Sequence, residues 1–444
     1  MAIEAVREYM KQWGAQDRIL EFQASSATVE LAAQAVGCEP ARIAKTLSFL
    51  VGDHPILTAR KMGLYTIVAS IPGDYPGFAL ADKVYEINTV DKEGILKVCQ
   101  EEQIDGICTT GTDVAVATIG YVCQEMGLAG VSEEAAVRAT DKAQMKEAFA
   151  REGVAAAKFR KAYSYEEVCR AAEEIGFPVV VKRVDSSGSR GITIVNEPSG
   201  LREAYHNALD RSRKEYVLVE EKLEGTEIGV DGMVQGGELV FLAPHEKFVY
   251  HTDKITIPAG HGFPYLGSER LQKEIEKQMR LAVKALGLDN CSVNADVFVD
   301  NEKGKAWIIE MGGRTGATCI PELISMYYGF DFYEKILQNA LGQPVGFTPE
   351  KEGVPCMAKL LMSPVDGIIT EINERKLERM RGKGIAIKLD FPVGHAVEAM
   401  QNGTTRIGQV VMEADCVEQL DQTISRVYHC IKVDGTSLEE LWKR

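Results

Sequence analysis

Residues 292–314 read SVNADVFVDNEKGKAWIIEMGGR, two alternating strands around a polar turn. Alternation places Val293, Ala295, Val297 and Val299 on one face and Asn294, Asp296 and Phe298 on the other, while in the return strand Ala306, Ile308 and Glu310 share a face. The turn DNEKG centres near residue 303, which sets Asp296 opposite Glu310. Like charges opposed in a sheet repel, and a half-buried pair raises one pKa and loses its charge unless a cation sits between them. Oxygen ligands without histidine suit magnesium or manganese better than zinc, and magnesium takes one or two carboxylates, completing its shell with water and substrate phosphates. A solvent-exposed acidic pair at a hairpin fits the same spacing equally well. Arg314 follows Gly312 and Gly313, which let the backbone turn and carry a planar, phosphate- or carboxylate-binding fork back toward the acids. An isolated surface arginine in a glycine-rich loop is the plainer alternative.

Upstream, residues 177–195 read FPVVVKRVDSSGSRGITIV, and Lys182 interrupts a run of strand character before a small, polar loop. With Val181 and Arg183 on the other face, Lys182 can present a point charge to a polyphosphate while the backbone N–H groups of Ser187, Gly188 and Gly191 close over it. A polar hairpin loop is also common in any β-containing protein. No P-loop pattern and no G-x-G-x-x-G occurs.

The rest of the chain frames these two hairpins. From residue 64, LYTIVAS, DKVYEI (82–87), a helix near 91–102 and DGICTT (105–110) alternate as an α/β unit with a parallel sheet. Thr140 is placed as the N-cap of a helix whose first turn holds Lys142, and Ser164 with Glu167 forms a capping box for a helix ending at Gly176. Strands follow at 216–225, in EIGVDGMV and in ELVFLAP, then a periodic helix over 269–286 with Leu271, Ile275, Met279, Ala282 and Leu286 on one face. Residues 345–354 have linker composition and set off a mixed unit of about 90 residues.

A net charge of -15 over 444 residues repels polyanions, which argues against nucleic acid or an anionic membrane as the partner and requires any phosphate to be held in a local pocket. The ten cysteines include no C-x-x-C pair, so neither zinc nor a disulfide framework is expected. The opening MAIEAVREYMKQWG lacks an apolar core of signal-peptide length, and no apolar run of spanning length occurs, so the cytosol is the expected compartment.

In order and spacing, Lys142, the Lys182 loop, Glu220 with Glu227, then Asp296, Glu310 and Arg314 resemble the ATP-grasp superfamily over residues 58–435. The resemblance implies an α/β and α+β ATP-grasp fold with a truncated N-terminal α/β lobe (58–138), an ATP-grasp domain (139–345) and a small C-terminal mixed domain (355–444). It implies that Lys142 and Lys182 hold ATP phosphates under the 185–191 loop. Glu220 would accept from the adenine amine, the backbone of Glu221 and Leu223 would read the ring edge, Glu227 would take the ribose hydroxyls, and Phe298 would floor the adenine. Asp296 and Glu310 match the two Mg2+ (or Mn2+) ligands, and Arg314 the arginine that steadies the transferred phosphoryl group. Gly312 stands where many members have an asparagine ligand to a second magnesium, which shifts the comparison toward L-amino-acid ligases.

The family likeness implies ATP-dependent joining of a small-molecule carboxylate and an amine through an acyl phosphate, and it allows a homodimer. A biotin carboxylase-like enzyme is the rival, although VFLAPHEKFVYHTDKI (240–255) lacks the basic pattern that activates bicarbonate there. A non-catalytic nucleotide-binding protein is the third alternative. His245, His251 and His261 are candidates to deprotonate the amine. Residues 1–57 resemble the opening of a prolyl-tRNA-editing (aminoacyl-tRNA deacylase) domain, with Lys45 at its essential lysine, and are expected to be an inactive fragment that replaces the first strand of the N-terminal lobe.

Overall fold

The computed structural model describes residues 45–49, 54–73, 75–184, 191–210, 212, 214–251, 256–382, 384–400 and 405–443. The amphipathic pattern predicts helices over roughly 3–13 and 27–36, and both lie outside these residues.

The first lobe is a parallel sheet of β1 (Lys45–Phe49), β2 (Tyr65–Ser70), β3 (Lys83–Glu86) and β4 (Gly106–Thr109) in the order β3-β2-β1-β4. β1 is a central strand, in parallel register with both β2 and β4, and the helix His54–Lys61 follows it. The expected boundary at residue 57 therefore needs correcting: part of the segment assigned to a foreign fragment supplies the opening strand thought to be missing. The physical reason is that a parallel sheet leaves no place for a β2–β4 pair once a third strand hydrogen-bonds between them.

A second, antiparallel sheet holds β5 (Phe159–Ala162), β6 (Val179–Lys182), β7 (Ile192–Val195) and β8 (Val217–Glu221) in the order β5-β8-β6-β7. Its helix Tyr165–Ile175 begins at Ser164, whose hydroxyl accepts from the Glu167 N–H; the Glu167 carboxylate reaches the N–H of Tyr163, so half of the expected capping box forms. The helix Lys142–Glu152 is capped by Asp141, which accepts from the N–H groups of Ala143 and Gln144. Thr140 instead ends the preceding helix, because the stronger anionic acceptor one residue later takes the orphan donors.

The third sheet has eight strands, β9 (Thr226–Gln235), β10 (Glu238–His251), β11 (Thr256–Phe263), β12 (Cys291–Asp300), β13 (Lys305–Gly312), β14 (Cys356–Met362), β16 (Ile385–Leu389) and β18 (Arg406–Glu413), ordered β13-β12-β9-β10-β11-β14-β18-β16. The expected separation at 345–354 is thus incomplete, since β14, β16 and β18 continue the central sheet through the β11–β14 pairing. β15 (Gly367–Ile372), β17 (Ala396–Val397), β19 (Ile431–Val433) and β20 (Thr436–Ser437) form a small sheet beyond it.

The helix Glu269–Leu286 matches the expected range and buries Leu271, Ile275, Met279, Ala282 and Leu286 against the back of β9, β12 and β13. The same core takes in Ile67 of β2 and Phe149 of the Lys142 helix, which locks the first lobe to the central sheet. Deleting residues 1–57 is expected to abolish soluble, cooperatively melting protein, because it removes β1 together with half of its helix. A truncated chain with an unchanged thermal transition by circular dichroism would contradict the placement of β1.

Candidate active site

Asp296 and Glu310 are cross-strand partners, as the hairpin pattern predicts. They meet through a bulge. Val297 pairs with Ile308 and Asp296 with Glu310, so Ile309 is the extra residue. Glu310 was expected to share a face with Ala306 and Ile308; those two are buried in the core, and the bulge turns Glu310 over to the face of Asp296. That face also carries Glu227, Gly229 and Asp231 of β9, His245 and Lys247 of β10, and Asn294 and Phe298 of β12, by the two-residue period of each strand.

Two lysines flank the acids. Lys142 Nζ lies 2.8 Å from Glu310 Oε2, and Lys247 Nζ lies 2.6 Å from Asp296 Oδ1 and 2.5 Å from Glu227 Oε1. The result is an unequal pair of acids. Burial, reinforced by Glu227 and Glu310, outweighs Lys247 and pushes Asp296 up to about 6. Burial also acts on Glu310, but Lys142, with Lys182 and Lys247 behind it, holds that carboxyl down at about 2.

Across from this face, the β5–β8 sheet contributes Lys182. Its Nζ lies 2.8 Å from Glu220 Oε1, and Lys146 Nζ lies 3.6 Å from the other oxygen. Lys146, one turn after Lys142, was not anticipated, although an i, i+4 spacing puts both lysines on one helix face. It is 2% exposed, its ammonium has no hydrogen-bond partner, and burial lowers its pKa to about 8. The Glu220 carboxylate is held below its ordinary range by Lys146 and Lys182 against its own burial, so it serves these lysines before any adenine amine. The Glu221 N–H donates to the carbonyl of Lys158. Phe298 pairs with Glu227 across β12 and β9, and Leu223 lies in the segment between β8 and β9. Gly191 bonds back to Arg183, with φ +71°, whereas Ser187 and Gly188 lie outside the described residues.

Arg314 does not point loosely from its loop. Its Nε and Nη2 donate to the two oxygens of Asp113 at 2.8 Å each, and Nη1 donates to Asn294 Oδ1 at 3.0 Å. Asp113 follows β4 in the first lobe and lies 201 residues away, so nothing local in the sequence signals it. Asp231, fully buried, anchors the same loop by accepting from Gly316 N–H, Thr315 Oγ1 and Asn294 Nδ2, and it pairs with His245 Nε2 at 3.1 Å. His245 is fully buried in this support, and burial keeps the His261 pKa well below its ordinary value. The side chain of His251 lies outside the described residues.

A family model for the ATP-grasp domain matches residues 175–322. The alanine--anticapsin ligase of Bacillus subtilis (strain 168) is 26% identical over 268 residues, 55% of this chain and 56% of the ligase, so the match spans just over half of that relative's length. Among solved structures, an L-amino acid ligase from Bacillus licheniformis superposes with a TM-score of 0.74 at 17% identity, covering 88% of this chain and 98% of that one. The biotin carboxylase domain dimer of Hydrogenobacter thermophilus 2-oxoglutarate carboxylase, in complex with MgADP, ADP and bicarbonate, does so with a TM-score of 0.70 at 19% identity, over 90% and 94% of the two chains. The fold is ATP-grasp. The likeness of residues 1–57 to an editing domain stays an expectation.

The ATP-grasp cleft fits a magnesium nucleotide on its donor set. Among the described residues no cluster of three His, Cys, Asp or Glu side chains could hold a metal, but the opposed acid pair supplies the one or two carboxylates magnesium uses beside phosphate oxygens. Lys146, ion-paired with Glu220 but without a hydrogen bond, and the ion-paired Lys142 and Lys182 are the cations that phosphate oxygens would meet there.

The two acids give opposite pH signatures. Asp296 is raised in the folded chain above its ordinary 3.8, so between that pH and about 6 the folded state holds a proton the unfolded state has released, and stability falls as pH rises. Glu310 is depressed from 4.5, so its contribution is present above that value and is lost as pH falls toward 2. In metal-free buffer, Asp296→Asn should raise the thermal midpoint relative to wild type progressively from pH 4 to 6. A difference that does not change over this window would contradict the assignment.

Proposed function

We propose that the protein is an ATP-dependent ligase that activates a small carboxylate as an acyl phosphate and joins it to an amine, releasing ADP and phosphate. The observation that carries this reading is the convergence of the acid pair Asp296 and Glu310 on the central sheet with Lys142 at the start of its helix and Lys182 on the β5–β8 sheet. The site residues from the sequence fit these roles: Lys142 and Lys182 at the phosphates, Glu227 and Phe298 at the nucleoside end, and Asp296 and Glu310 for a metal. A bound magnesium ion would neutralise charge on the phosphates.

A carboxylate oxygen attacks the γ-phosphorus, the bond to the bridging oxygen breaks, and ADP leaves with that electron pair. The lysine ammoniums stabilise negative charge spread over the transferred group, which the low-dielectric cleft makes more effective than in water. An uncharged amine then attacks the acyl carbon, the bond from that carbon to the phosphate oxygen breaks, and the proton lost by nitrogen passes to the departing phosphate or to solvent, leaving the amide. Arg314 can steady the transferred group only by exchanging Asp113 for it. The bidentate carboxylate on its fork occupies the position that a phosphoryl oxygen or a substrate carboxylate would take. The buried, Asp231-bound His245 acts in loop support and takes no proton in this scheme.

Purified protein supplied with ATP, Mg2+ and a mixture of amino acids and small acids is expected to release phosphate in a mixture-dependent way. Glu310→Ala should lower that release by about 100-fold or more, since it removes half of the metal's protein ligands. Release that depends on bicarbonate would favour the carboxylase-like alternative. Release unaffected by Glu310→Ala would contradict the site.

A further inference from the structure

The Lys247 ammonium stands where the acids would otherwise face a metal. It bridges Glu227 and Asp296 at 2.5 and 2.6 Å, and its side chain is only 7% exposed. A buried ammonium is stable only beside anions, and here the anions are the carboxylates that the proposed nucleotide and metal must also use. A divalent ion that takes Asp296 Oδ1 has to displace Lys247 from that oxygen, and one on the other oxygen of the carboxylate would stand close to the ammonium and be repelled by it. Lys247 has few other partners within its own surroundings. Its cross-strand neighbour on β11 is His261, buried and strongly disfavoured as a cation. The other nearby acid, Glu310, is engaged by Lys142.

We infer that Lys247 is a resident counter-cation that makes metal binding conditional on nucleotide: it holds Asp296 and Glu227 together while the cleft is empty, and it yields Asp296 when polyphosphate supplies the ammonium with new oxygen partners. Geometry supports this on three counts. The lysine lies on the same sheet face as the acid pair, one strand beyond β9. Gly229, the β9 residue opposite Asp296, carries no side chain, and a Cβ there would lie 2.0 Å from the His245 ring, so no β9 side chain stands between Lys247 and Asp296 at that point. The four-carbon stem of lysine lets the charge move without the backbone, as the fixed fork of an arginine would not. The coupling is reciprocal: nucleotide tightens metal, and metal tightens nucleotide, by the same factor. This inference rests on the ligase reading for the identity of the nucleotide, but its metal half does not need nucleotide to be tested.

The test is Mn2+ alone, titrated into the full chain and followed by the electron paramagnetic resonance of free Mn2+. Lys247→Met is expected to bind Mn2+ about tenfold or more tightly than wild type, within the range of ordinary site–site couplings. Adding Asp296→Ala to Lys247→Met should erase that gain, which places it at the acid pair. In wild type, ATP should raise Mn2+ affinity more than it does in Lys247→Met. Equal Mn2+ affinity of wild type and Lys247→Met, or weaker binding by the variant, would overturn the inference. Should Lys247→Met fail to fold, Lys247→Gln, which keeps a hydrogen-bonding end without the charge, carries the same expectation and the same contradiction. A wild type that binds no Mg-ATP would remove the ligase reading, while a tightened Mn2+ site in Lys247→Met would still stand.

Discussion

The opposition of Asp296 and Glu310 on one face of the central sheet is the constraint around which the cleft is arranged. Regular pairing would have sent Glu310 into the core with Ala306 and Ile308, where an unpaired carboxylate costs several kcal/mol. The bulge at Ile309 avoids that cost and produces another, two carboxylates facing each other across a strand pair. Lys142 and Lys247 offset the second cost from either side, each by an ion pair that exists only because a separate element reaches the same face. The helix that carries Lys142 is fixed by the Asp141 cap and by burial of Met145 and Phe149.

Charge in the cleft is distributed in short, exchangeable pairs. Glu220 is shared by Lys146 and Lys182, Glu310 is held by Lys142, Glu227 and Asp296 are bridged by Lys247, and Arg314 is held by Asp113. Among the described residues, Lys142, Lys182, Lys247 and Arg314 are already ion-paired, and Lys146 is ion-paired but lacks a hydrogen bond. Ligand binding in such a site is an exchange of partners. Its net favourable energy comes from the better geometry of phosphate oxygens and from burial of the ligand, since the gross Coulomb attraction is largely present beforehand. The first lobe takes part directly, because Asp113 and the pairing of Thr110 with Thr315 tie the loop after β4 to the loop after β13.

Much of this was legible in the sequence, for physical reasons that differ by element. The helix Glu269–Leu286 follows from its apolar period, and the hairpin at 292–314 from alternation and a centred turn. The bulge has no clear trace in the sequence, because Ala306, Trp307, Ile308 and Ile309 form a continuous apolar run in which alternation does not mark the extra residue. Lys146 was available from helical spacing. Asp113, Asp231 and Lys247 were not, since their roles arise from pairings between strands and loops far apart in the chain, and no local pattern distinguishes them from surface charges. The opening strand was masked by a likeness: residues 45–49 fit an editing-domain segment in sequence, and only the parallel register with β2 and β4 assigns them to the first lobe.

Calorimetric titration of Mg-ATP into the protein tests most directly the proposed nucleotide site between the lysines and the acid pair. A saturable heat at one site per chain, lost in Lys182→Met with the fold intact by circular dichroism, is the predicted result. The absence of any heat of association in wild type, or binding untouched by Lys182→Met, would contradict it.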